Sequence, residues 1–322
     1  MYGTPAEVDQ IGEYARHLIR TDVRGEVLVS VSRAIYLRTT RDQVFWLGTE
    51  RVPLHRRGMR VTGPIPKCEA GTPFRALGDA LLIGERYRFE IDRAREWHSS
   101  SIFPKSPSTS RAILERLHGF CSMYRPLNDD GFGVFIQTIL RRGSPETNSL
   151  ELNSAQRAAK HAIESVVEAS LNGDLPTVLQ HGEALIGLGA GLTPSGDDFL
   201  GGLLFTAPHL RAERWVSERW SEDLVPSWIE EAKPRTHPIS FVMLSDHAAG
   251  FGAEDLHYLL RSLLSMGGVA ESLRIARRLD RIGHTTGSDQ VTGLLTGMLL
   301  MKNTKDPIQH WMPDERVPAP TG

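Results

Sequence analysis

Hydrophobic and polar positions follow two different rhythms along this chain. From residue 26 to residue 91 the period is short. Val27, Val29 and Val31 alternate with Leu28, Ser30 and Ser32, and Ile35-Tyr-Leu and Val44-Phe-Trp-Leu are short β-branched and aromatic runs. Thr40-Arg-Asp can turn between those two runs, which predicts a hairpin. Met59-Arg-Val-Thr-Gly, Ala80-Leu-Leu-Ile and Tyr87-Arg-Phe-Glu-Ile read as further strands, separated by breakers at Gly63, Pro64 and Pro66. Closely spaced short strands predict a small antiparallel sheet or barrel.

Residues 99–110 are rich in Ser and Pro and read as a loop or linker, followed by a short helix over Arg111 to Phe120 and a turn at Asp129-Asp-Gly-Phe-Gly. From Ser154 the period becomes helical. Ser154 can cap a helix with Ala158, Ala162, Val166 and Ala169 on its buried stripe. Asp174 can cap the next helix, with Pro176 in its first turn and Leu179 and Leu185 buried. Later helices are expected over 197–207, 212–231, 238–250, 254–265, 268–281 and 288–301. Gly187, Gly252, Gly267 and Gly283 are placed to end helices in the left-handed conformation. The expected fold class is α+β: a β-rich domain over 1–98, a linker and mixed segment over 99–153, a mostly α-helical domain over 154–302, and a polar, Pro-rich tail over 303–322.

Composition narrows the class. The chain has 322 residues, 40% hydrophobic and 24% charged, with a net charge of −2. This balance excludes wholesale disorder and argues against a basic surface for nucleic acid. No apolar run reaches the ~20 residues of a membrane helix, and the N-terminus lacks the basic start and apolar core of a signal peptide. Cys68 and Cys121 are the only cysteines, which excludes a disulfide framework and a four-cysteine zinc site. A cytoplasmic location is the expectation.

The candidate chemistry sits in two glycine-rich turns that each open a helix. The first is Gly187-Leu-Gly-Ala-Gly-Leu-Thr-Pro-Ser-Gly-Asp-Asp-Phe-Leu-Gly-Gly, and the second is Gly283-His-Thr-Thr-Gly-Ser-Asp-Gln-Val-Thr-Gly. Each runs glycine, one residue, threonine, a hydroxyl and glycine cluster, then an aspartate with a glycine four residues on: Asp198 to Gly202 and Asp289 to Gly293. The echo predicts two similar units facing one pocket. Backbone N–H groups at Gly189, Gly191 and Gly196, with Thr193 and Ser195, can cradle phosphate or carboxylate at a helix start. His284, Thr285, Thr286, Gly287 and Ser288 can do the same for a second group. Three readings of Asp197 and Asp198 remain open: a helix cap, ligands for a magnesium ion, or proton transfer. Magnesium is the one cofactor this leaves in play. Between the turns, Thr236 and Ser240 flank a helix begun by Pro238 and are further candidate anion ligands. His247 is the candidate for proton transfer, against a plainer reading as a satisfied core histidine. Walker A, His-Glu-x-x-His and Gly-x-Ser-x-Gly motifs are absent.

These three segments, with Gly-Leu-Thr-Pro-Ser-Gly-Asp-Asp-Phe-Leu, Thr-x-x-x-Ser and a later His-Ala-x-Gly, and Gly-His-Thr-Thr-Gly-Ser-Asp, resemble the signature of domain-of-unknown-function family 2877, which contains the AllH subunit of oxamate carbamoyltransferase. The resemblance covers roughly residues 180–301. It implies a part in carbamoyl transfer between oxalurate and phosphate on one side and oxamate and carbamoyl phosphate on the other. It also implies work beside an FdrA-like subunit and a second uncharacterised subunit. On that reading Asp198 and Asp289 orient an amide NH₂ or a metal. The rival readings are a structural or metabolite-binding subunit without catalysis, and a stand-alone amidohydrolase-like enzyme.

Overall fold

The computed structural model describes residues 6–99, 110–141, 151–212, 221, 223–265 and 267–301. Its N-terminal region is a β-barrel and the region that follows is helical, an α+β architecture. The strands and first helix are β1 (Ala6–Gly12), α1 (Glu13–Arg20), β2 (Arg24–Val31), β3 (Ala34–Thr39), β4 (Val44–Thr49), β5 (Gly58–Val61), β6 (Pro73–Leu77), β7 (Ala80–Ile83), β8 (Tyr87–Glu90) and β9 (Arg95–Trp97). The order β5-β4-β3-β2-β6-β7-β8-β1 closes through pairing of β5 with β1, and β9 adds beside β1. Closure removes the unpaired edges of an open sheet. The ring is mixed, where the sequence suggested an antiparallel one: β4 pairs β5, and β1 pairs β8, in parallel.

The expected hairpin joins β3 and β4, with Asp42 at φ +62° in its turn. The alternation read across β2 does not hold along its whole length. A bulge between Val27 and Val29, where two residues oppose one on β3, inverts the side-chain parity. Val27 is therefore in the barrel core, while Val31 is 42% exposed. Strand β4 is buried on both faces. Phe45 and Leu47 fill the barrel, and Val44 and Trp46 lie on the outer face. That double burial explains its continuous apolar run. Helix α1 adds Ala15, Leu18 and Ile19 to the barrel core. Strands β1, β6 and β9 and helix α1 were not foreseen, although α1 carries Ala15, Leu18 and Ile19 on one buried stripe and β6 alternates Phe74 and Ala76 inward.

The helical region comprises α2 (Ser110–Met123), α3 (Ile136–Arg141), α4 (Ser154–Leu171), α5 (Leu175–Gly182), α6 (Ser195–Ala212), α7 (Leu224–Ala232), α8 (Pro238–Ala248), α9 (Glu254–Leu264), α10 (Val269–Leu279) and α11 (Thr286–Met298). It has its own large core, built around Phe132, Phe199, Phe205, Leu260 and Leu295. Asn153, not Ser154, caps α4, in a reciprocal pair with Gln156. Ala158 is exposed and Ala159 takes its place in the buried stripe. Asp174 caps α5 through Thr177 N–H. Gly187 and Gly283 have positive φ, as does Gly250 at the end of α8, but Gly252 and Gly267 do not. Most of the Ser/Pro-rich loop, part of the helix expected over 212–231, and the tail lie outside the described residues. Among the described residues no helix is long and apolar enough to cross a membrane.

Helices α6 and α11 form the centre of this region and run parallel. Phe199 meets Gly293, Gln290 meets Gly202, and Leu203 meets Gly297, so the contacts advance together along both helices. The packing is reciprocal: a Cβ on Gly202 would lie 2.1 Å from Gln290 O, and one on Gly293 1.8 Å from Phe199 O. The repeated Asp-to-Gly spacing is thus the signature of a close helix crossing. Parallel packing also brings both helix N-termini, with their partial positive charge, to one end. Asp198 and Asp289 sit in the first turns at that end.

The barrel docks on the helical region through Arg57, whose guanidinium makes two hydrogen bonds to Asp246, at 2.5 and 2.8 Å. Leu54, Trp97 and Tyr258 form a small apolar contact beside it.

Candidate functional site

The two glycine-rich turns meet. Thr193 Oγ1 and Thr286 Oγ1 are 3.1 Å apart, and Ser195 Oγ and Thr285 Oγ1 are 3.2 Å apart. Asp198 and Asp289 flank this hydroxyl quartet in matching ways, each facing a threonine of its own turn and a hydroxyl from the other. Burial, and then the charge of Asp289, raises the Asp198 carboxyl well above the usual carboxylate range, with Thr286, Thr193 and Gln290 working the other way. Burial raises Asp289 to about 6, opposed by Ser195, Phe132 N–H and Thr285. Its Oδ1 accepts Phe132 N–H at 2.5 Å. Asp198 Oδ1 accepts from Gln290 Nε2 at 3.3 Å. Asp198 Oδ2, Asp289 Oδ2 and Gln290 Oε1 are buried and have no hydrogen-bond partner among the described residues.

Asp198 and Gln290 form part of the wall of a cavity of about 560 Å³, whose lining also includes Gly191, Thr193, His284, Thr285 and Thr286. The barrel contributes Tyr36, Trp46 and His55 to the same lining, with Trp46 and His55 stacked at 5.0 Å. Arg33, Arg51 and Arg281 are exposed lining residues, and none has a carboxylate partner among the described residues. Arg33 Nη1 instead donates to Arg281 O at 3.4 Å. One wall therefore offers unpaired acceptors while cations stand at the opening.

Other predicted site residues are engaged elsewhere. Asp197 does not cap its own helix; both its oxygens accept from neighbouring residues. Its Oδ1 accepts Gly187 N–H at 2.8 Å, and its Oδ2 accepts from Thr236 and from Ser240 at 2.6 Å. Thr236 and Ser240 are thus donors to Asp197 rather than ligands of the cavity. Among the described residues no group of three or more His, Cys, Asp or Glu side chains could hold a metal. Replacing Asp197 with alanine leaves those three donors without their acceptor and is expected to cost about 2–3 kcal/mol of stability, read by urea denaturation.

The backbone cradle also differs from the expectation. Gly196 N–H donates to Leu188 O and Gly287 N–H to Ile282 O, so neither is free for an anion. Both glycines instead allow their helix starts to press on a carbonyl, Leu185 O and Leu279 O respectively. Gly189, Ser195 and Ser288 are not lining residues, and the Ser288 hydroxyl donates to Thr285 O. His284 is exposed at the rim, its Nε2 2.9 Å from Asp130 Oδ2. His247 is buried away from the cavity lining, its ring filling the space beside Gly201. Burial lowers its pKa to about 4, so it stays neutral at pH 7.

The sequence reading missed Tyr36, Trp46, His55, Gln290 and the three arginines. Gln290 directly follows Asp289 and could have been included. The barrel residues carry no local signal, since only folding brings them to turns that lie far along the chain.

No solved structure matches the chain. A family model described as oxamate carbamoyltransferase subunit AllH does match, over residues 185–298. That stretch spans both turns, Asp198, Asp289 and the crossing of α6 and α11, and it is what the chain shares with the AllH subunit family.

Proposed function

We propose that this chain serves as the AllH-type subunit of a carbamoyltransferase complex and that its cavity holds a small acid bearing a carbamoyl or amide group. One observation carries this reading: Asp198 and Gln290, whose Oδ2 and Oε1 have no hydrogen-bond partner among the described residues, line the same cavity as three exposed arginines without carboxylate partners. A primary amide NH₂ has two N–H donors to match the two acceptors. Arg33, Arg51 and Arg281 suit the carboxylate of oxalurate or oxamate. Anchoring both ends fixes the carbonyl between them, and such positioning is a large part of what a transfer reaction requires. Further subunits, an FdrA-like one among them, would supply the remaining machinery.

Calorimetric titration of the full chain with oxamate, against oxalate as a control lacking NH₂, tests this. Oxamate is expected to bind at least tenfold more tightly than oxalate, whose second carboxylate would face Asp198. Asp198→Asn, which loses the charged acceptor, should weaken oxamate by roughly 10–100-fold. The pH dependence has a definite sign. The ligand N–H needs ionised Asp198, whose pKa is raised in the free protein. Affinity should therefore be highest on the alkaline side and fall as acidification protonates Asp198. Equal binding of oxalate, or tighter binding of oxamate in acid, would remove Asp198 from this role.

A further inference from the structure

We infer that Tyr36, on barrel strand β3, donates the hydrogen bond that polarises the carbonyl oxygen of the bound carbamoyl or amide group. This rests on the proposed reading of the cavity and adds a donor from outside the AllH-matching segment.

A primary amide presents two donors and one acceptor. The unpaired acceptors answer the NH₂, so the carbonyl oxygen needs a donor elsewhere in the lining. Three barrel side chains contribute to that lining. His55 Nε2 is buried and lies 3.8 Å from Asp246, while its Nδ1 accepts Arg57 N–H. Trp46 Nε1 lies against Gly58, only 2.9 Å from where a Cβ would stand. The Tyr36 hydroxyl has no hydrogen-bond partner among the described residues, and its ring, half-buried, rests on Trp46 at 5.7 Å.

Tyr36 also lies near enough to Asp198 to feel its charge. Burial, followed by that charge, raises the phenol to about 12, which keeps its proton in place across the working range. A held O–H close to Asp198 can meet the carbonyl oxygen while Asp198 meets the nitrogen of the same group. When the carbonyl carbon is attacked, negative charge grows on that oxygen and the phenol hydrogen bond strengthens. Neither Thr193 nor Thr286 is as free to serve, since their hydroxyls face each other.

The test uses the full chain, oxamate carrying ¹³C at its amide carbonyl, calorimetry and difference infrared spectroscopy. Tyr36→Phe keeps the ring on Trp46 and removes only the hydroxyl. Oxamate affinity is expected to fall about 3–10-fold, the range of one neutral hydrogen bond. The lowering of the amide carbonyl stretch seen on binding to the wild type should disappear, an effect that simple loosening of the wall would not produce. Replacing tyrosine by 3-fluorotyrosine, a more acidic donor of nearly the same shape, should lower the stretch further, and it serves if the Phe variant fails to fold. Equal affinity with an unchanged carbonyl shift would overturn the role of Tyr36 alone. Failure of the wild type to bind oxamate would overturn the reading of the cavity and this role with it.

Discussion

Gly293→Ala is expected to destabilise the protein by about 3 kcal/mol or more, although the same change in an exposed helix stabilises it by about 1 kcal/mol. The reversal comes from the helix crossing. The new methyl carbon would lie 1.8 Å from Phe199 O, 2.8 Å from Phe199 C and 2.9 Å from Leu203 N. All three are backbone atoms, so no rotamer change relieves the overlap and α11 must move away from α6. That movement also separates Asp198 from Gln290, so weaker oxamate binding should accompany the loss. Gly268→Ala is the control, because nothing lies within 4 Å of its Cβ position; it should change stability by less than about 1 kcal/mol. Urea denaturation of the two variants decides the matter. A Gly293→Ala protein as stable as wild type would mean that the helices are not held at this separation.

Asp246→Ala should cost about 3–5 kcal/mol, because it strands the Arg57 guanidinium at the junction of barrel and helices. Both side chains are largely buried, 12% and 5% exposed. The planar carboxylate meets the guanidinium at two points, and the Arg57 guanidinium sits 4.1 Å from the Tyr14 ring. Once Asp246 is gone, Arg57 must either remain buried without its counter-charge or pull out and take the 55–57 segment with it. That segment carries His55 into the cavity wall, so ligand affinity should fall too. The double variant Arg57→Met with Asp246→Leu removes both charges and should recover most of the stability, since an apolar pair of similar size often replaces a buried ion pair at little cost. Unfolding free energies within ~0.5 kcal/mol of each other for wild type and Asp246→Ala would show that the pair does not hold the junction.

The two rhythms of the sequence determined the order of a β-rich region and a helical one, because side-chain periods of two and 3.6 are local properties of strand and helix. The matching turns were legible for the same reason. Gly-x-Thr, the hydroxyl cluster and the Asp-to-Gly spacing all lie within short stretches, and the chain needed no tertiary information to show that they repeat. Which of those residues serve each other and which serve a cavity was decided only by packing. Asp197 and Asp198 are adjacent in sequence, yet one is consumed by Gly187, Thr236 and Ser240 while the other keeps an unpaired oxygen. A helix turns each successive residue by 100°, so neighbours face different surroundings. Gly196 and Gly287, which looked like parts of an anion cradle, are contact points, because a missing Cβ permits close backbone approach as readily as ligand approach. Closure of the barrel, its mixed strand directions, and the delivery of Tyr36, Trp46 and Arg33 to turns far along the chain depend on long-range pairing and docking, which leave no periodic trace in the residues themselves.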